Sequence, residues 1–60
     1  METFNAIMEL IFIWNGSSMS LSMNQKSHLM HLWNERLTEK GKEVIADWAT
    51  RNEFRIPEFL

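Results

Sequence analysis

Apolar and polar positions alternate along the first quarter of the chain. Phe4, Ala6, Met8, Leu10, Phe12 and Trp14 share one side; Thr3, Asn5, Ile7, Glu9, Ile11 and Ile13 share the other. A period of two is the pattern of a strand. The alternation runs into Asn15-Gly16, a dipeptide that tolerates the positive φ angles of a two-residue hairpin turn. Beyond it, Met19, Leu21 and Met23 alternate with Ser18, Ser20 and Ser22. Folding about Asn15-Gly16 sets Phe12 opposite Met19, Leu10 opposite Leu21 and Met8 opposite Met23, which gives one apolar face across both strands. The pattern predicts a β-hairpin over about 4–14 and 17–23. A competing period is present: Phe4, Ile7, Met8, Ile11 and Trp14 also fit 3.6 residues per turn, with Asn15-Gly16 as a helix C-cap. The strand is preferred because every inward position is apolar, because β-branched and aromatic residues abound, and because a partner strand follows.

The period changes after residue 22. Ser22-Met23-Asn24-Gln25 has the Ser-x-x-Gln form of a capping box. Leu29, Leu32, Trp33 and Leu37 then make a helical stripe, with Met30 beside it, and Val44, Ile45, Trp48 and Ala49 resume it. Gly41 stands between the two segments. The sequence allows one helix over about 24–51, or two with a break near Thr38 to Gly41 and a second helix from about Lys42 to Arg51. In the tail, Phe54 and Ile56 alternate with charges and Pro57 holds Ile56 extended, as in a strap or an edge strand. The expected architecture is α+β: one domain over residues 1–60, with a hairpin, one long or two short helices on its apolar face, and an extended tail.

Composition adds a partner to this picture. Sixty residues bury only about 60% of their unfolded surface, yet the chain holds three Trp, four Phe and five Met. Such an apolar load suggests a homodimer. There is no cysteine, which excludes disulfides and fits a reducing compartment. The net charge is −2 and the first basic side chain is Lys26, so the basic footprint that phosphate binding requires is missing. No positive region precedes the apolar run and Glu9 interrupts it, so neither a signal peptide nor a membrane span is expected. The expected setting is the cytoplasm.

Candidate chemistry is sparse. His28, His31 and Glu35 share a helix face and could in principle ligate a divalent ion; two surface histidines beside an apolar stripe is the plainer account. Met19, Met23 and Met30 near the histidines would suit copper(I), but Met19 and Met23 fall on the inward side of the hairpin. Glu35, Glu39, Glu43 and Asp47 recur every four residues like phosphates along a strand, with Arg36, Lys40, Lys42 and Arg51 interleaved. Ser27 and His31 could pair, but with no orienting acid or oxyanion donor. No metal, cofactor or catalytic group is expected.

Ile7, Ile11 and Ile13 point away from the inward face of the hairpin and meet only serines across the turn. An exposed apolar strip on a sheet edge invites a partner unless the tail covers it. With Trp48, Phe54 and Phe59 towards the end, these residues are the expected contacts of a small non-catalytic protein that docks on another protein as an inhibitor, antitoxin-like neutraliser or adaptor. On this reading Ile11→Asp abolishes binding and keeps the fold.

A second outline competes. Met19 to Trp48 resembles a ribbon-helix-helix repressor: a short alternating strand, a helix with Leu29, Leu32 and Trp33, a turn near Gly41, and a helix with Val44, Ile45 and Trp48. The resemblance implies an obligate dimer that inserts paired strands into the major groove. A regulator of this kind would contact phosphates through Lys26, Arg36, Lys40 and Lys42. The sequence departs from that pattern in offering Ser18, Ser20 and Ser22 on the strand, with no Arg or Lys. Residues 8–14 would also occupy the edge that the family uses for dimer pairing.

Overall fold

The computed structural model describes residues 2–60 and places three helices around one core, with no strand among the described residues. Helix α1 runs Glu2–Gly16, α2 runs Met23–His31 and continues through a single π turn at Leu32–Arg36, and α3 runs Glu39–Arg51. The α+β expectation is therefore corrected: the hairpin does not form, and its first arm is helical from end to end.

The correction has a physical reason. The 3.6 period in α1 gathers Ile7, Leu10, Ile11 and Trp14 into one buried stripe. A helix satisfies its own backbone, whereas a two-stranded hairpin alone is marginal in water. Ala6, Met8, Glu9 and Leu10 also favour helix locally. Gly16 does not adopt a positive φ; Ser18 at 56° and Met19 at 63° do. The Met19 N–H donates to the Trp14 carbonyl at 2.8 Å, the six-to-one bond of a Schellman motif, and the chain turns there.

The next two helix starts follow local chemistry. At α2 the capping box closes in both directions: Gln25 N–H donates to Ser22 Oγ at 3.2 Å and Ser22 N–H donates to Gln25 Oε1 at 3.1 Å. The π turn widens the helix, so that Leu37 rather than Arg36 follows Leu32 towards the core; Leu37 packs on the core and Arg36 is exposed. The two-helix alternative is the one adopted. Leu37 is extended and Thr38 caps α3, its Oγ1 accepting the Gly41 N–H at 3.0 Å. The second helix thus begins at Glu39, three residues before the expected Lys42. Gly41 lies in its first turn, where a Cβ would stand 2.7 Å from Leu37 Cδ1 and 3.3 Å from Phe4 Cζ. The glycine permits α1 and α3 to approach there.

Helix α3 ends in a second, complete Schellman motif. Glu53 sits at φ 60°, its N–H donates to Thr50 at 3.2 Å, and the Phe54 N–H donates to Ala49 at 2.8 Å. The tail then packs back as a strap rather than a strand. Asn15 holds it: Asn15 Nδ2 donates to the Arg55 carbonyl and the Arg55 N–H donates to Asn15 Oδ1, both at 3.0 Å. Pro57 is fully buried beyond this clamp.

The core is built from Ile7, Ile11, Leu29 and Ile45, all without accessible surface, ringed by Leu10, Leu32 and Trp33. The accessible surface of 4,297 Å² is close to the roughly 4,100 Å² of a folded monomer of this mass. The core takes up much of the apolar load, while Phe12, Met19, Met23 and Val44 stay exposed.

Candidate interaction surface

The side chains expected to meet a partner separate in the structure. Ile7 and Ile11 are the centre of the core and have no surface to offer. Their outward placement belonged to the hairpin and is corrected with it. Ile13, Trp48, Phe54 and Phe59 are half-buried. Trp48 and Phe54 come together, their ring centroids 5.3 Å apart, because Phe54 follows the left-handed Glu53 and folds back on the last turns of α3. Phe59 lies apart, under the Lys26 ammonium at 5.0 Å from the ring centroid.

Phe12 completes the surface. Its ring meets Phe54 edge-on at 5.6 Å and keeps 58% of its surface exposed. Phe12 follows Ile11 by one residue, about 100° around the helix, so it leaves the buried stripe and stands on the flank that faces α3. Met8 precedes it by one turn on that flank. On the other side Val44, 48% exposed, precedes Trp48 by one turn. Phe12, Phe54 and Trp48 therefore form a continuous aromatic ridge, with Met8 and Val44 extending it. Sequence alternation placed Phe12 inside the hairpin, and the α3 stripe placed Val44 in the core. The helical period of residues 4–14 carried the signal that would have found Phe12.

The basic residues do not gather. Lys42 pairs with Glu39 at 3.7 Å and sits 5.9 Å from the Trp33 ring centroid. Lys40, two residues away, faces the opposite side of α3. Lys26 sits over Phe59. The phosphate contacts expected of a ribbon-helix-helix regulator are thus spread over separate faces, and the strand that would enter the groove is absent. His28, His31 and Glu35 are all exposed, and the described residues hold no group of three His, Cys, Asp or Glu side chains placed to share an ion. Among the described residues no helix is long and apolar enough to cross a membrane.

Two open depressions lie away from the ridge, the first of them beside the tail. One, of about 680 Å³, lies between Trp14, Leu21, Lys26 and Phe59. The other, of about 470 Å³, lies where α1 begins beside the start of α3, with Phe4 and Leu37 as its apolar lining and Glu2, Arg36 and Thr38 among its polar neighbours. The chain matches no protein-family model, no curated protein and no solved structure.

Proposed function

We propose that this protein is a small non-catalytic docking module that acts by binding another protein, in the cytoplasm, through the ridge of Phe12, Phe54 and Trp48. The observation that carries the proposal is the ridge itself. Three aromatic rings in series, with Phe54 touching both Phe12 and Trp48, leave Phe12 58% exposed and Val44, one turn before Trp48, 48% exposed. Large rigid aromatics of this kind dominate binding energies at protein interfaces. The absence of cysteine fits a reducing compartment. Occupying a partner's surface needs no further chemistry from the chain.

A pull-down of the tagged chain from its native cell lysate, with and without nuclease, tests the proposal when run beside Phe12→Ser. One protein retained in both arms by the wild type and lost by the variant is the expected result. Equal retention by Phe12→Ser removes the ridge from the interaction. Material lost on nuclease treatment assigns the chain to nucleic acid instead.

A further inference from the structure

We infer that the depression beside the tail is a binding site for a small aromatic carboxylate. The site is separate from the docking ridge: none of Phe12, Phe54 and Trp48 lines it. Its walls come from three parts of the chain. Helix α1 ends in the left-handed pair Ser18 and Met19, where the Met19 N–H closes on the Trp14 carbonyl at 2.8 Å. That turn carries Met19 and Leu21 to the depression that Trp14 lines. The tail returns to the same end of the molecule, held through Arg55 by Asn15, and the Leu60 N–H donates to the Pro57 carbonyl at 3.1 Å. The turn so formed presents Glu58 and Phe59, and α2 supplies Lys26. Trp14, Met19, Leu21 and Phe59 give an apolar lining with two aromatic rings. The volume of about 680 Å³ lies in the range of small-molecule sites.

Charge selects the polar end of the ligand. Among the residues that line the depression only Lys26 and Glu58 are charged. Glu58 faces the Arg55 guanidinium at 4.0 Å, and the same guanidinium reaches Met19 Sδ at 3.9 Å. Lys26 makes no ion pair among the described residues, and its ammonium stands 5.0 Å from the centre of the Phe59 ring. Lys26, Arg55 and Glu58 thus set two cations against one anion, in a chain whose net charge is −2. The cation left over is the one placed against an apolar ring. A carboxylate on Lys26 lays its aromatic body along Phe59, with Trp14 and Leu21 as the further apolar lining. An amine would find Glu58 already paired with Arg55 and Lys26 a like charge. Inorganic phosphate would meet Lys26 and leave the apolar lining in water.

Naphthoate, its neutral amide and naphthylmethylammonium share one ring system and differ in charge. Titration of each into the full chain at low salt, followed by NMR shifts of amide and indole N–H signals, tests the site. Naphthoate is expected to saturate with a Kd of about 1 mM or below, as its size allows. It should move the signals of Met19, Leu21, Lys26 and Phe59 and the Trp14 indole. It should bind about three- to fivefold more tightly than the amide, the strength of one exposed ion pair, and the ammonium should bind more weakly than either. Lys26→Gln should bring naphthoate and amide to equal affinity. Lys40→Gln, which removes a cation from α3, should leave their difference intact. Both positions are exposed, and circular dichroism checks that each variant keeps its helices. Equal affinity of naphthoate and amide for the wild type, or a preference that survives Lys26→Gln, overturns the carboxylate site. No saturable shift up to about 10 mM overturns it as well. Shifts that gather at Phe12 and Trp48 give the naphthalene ring to the docking ridge and remove the depression as its site.

Discussion

The buried stripe and the exposed flank of α1 are both apolar and have opposite fates. Ile7 and Ile11 have no accessible surface, while Phe12, the very next residue, keeps 58% of its own. Hydrophobicity does not separate them; geometry does. One step along a helix turns a side chain by about 100°, and the core of Leu29, Leu32, Trp33 and Ile45 covers only the stripe that Ile7 and Ile11 share. On the other flank Phe12 meets only the Phe54 ring, in a T-shaped pair at 5.6 Å, and stays largely exposed. Stability and the docking proposed above thereby fall to neighbouring residues of a single helix. Substitutions on the two faces should change different measurable quantities.

The largest effect is expected at the centre of the stripe. Ile11→Asp puts an unpaired carboxylate where no water reaches, at a cost of several kcal/mol, comparable to the whole stability of a domain this small. Far-UV circular dichroism at 25 °C should show an unfolded chain; a folded Ile11→Asp would mean that the stripe is not the core. Next comes the clamp that ties the tail to α1. Asn15→Ala leaves the Arg55 N–H and carbonyl without their partner and should cost about 1–2 kcal/mol. Its urea midpoint should fall, and the Arg55 amide should exchange with solvent far sooner than in the wild type. Smaller, and of opposite sign, is the change at the end of α3. Glu53 holds a positive φ that glycine adopts freely, so Glu53→Gly should raise stability by about 1 kcal/mol; a lowered melting temperature would refute the strain assigned to that position. The smallest effect on stability belongs to the exposed flank. Phe12→Ser should cost at most about 1 kcal/mol, the worth of its contact with the Phe54 ring, while losing the docking proposed for the ridge. A large loss of stability there would erase the division between the two faces.

Some of this fold is legible residue by residue. The Ser22–Gln25 capping box forms as its spacing implies, because both partners lie within one turn of each other and need no distant help. The stripe of Leu29, Leu32, Trp33 and Leu37 faces the core for the same local reason. The break between the last two helices falls at Leu37–Thr38, since Thr38 caps the helix that follows. Residues 4–14 are different. Phe4, Ala6, Met8, Leu10, Phe12 and Trp14 fit period two, while Phe4, Ile7, Met8, Ile11 and Trp14 fit 3.6, so either period yields one apolar face. The candidate surface inherited that ambiguity: Ile7 and Ile11 moved inward and Phe12 outward together. Trp48 and Phe54 lie half-buried at the edge of the core, and neither placement depended on the hairpin.

What the sequence determined by itself is the set of short-range structures: the cap at Ser22, the helix through Trp33, the helix that carries Ile45 and Trp48, and a tail held extended at Pro57. Each is decided within a few residues by hydrogen bonds and periodicity. The state of residues 4–14 was decided only in three dimensions. Burying Ile7 and Ile11 requires Leu29 and Ile45, which lie far along the chain, and the period that wins is the one whose stripe they can cover. Asn15 shows the same dependence. Beside Gly16 it signals a turn to a local reading, yet its amide is used to hold the backbone of Arg55, forty residues away. A contact of that range brings its own partner into play only when the helices have packed, which is why no local pattern announces it.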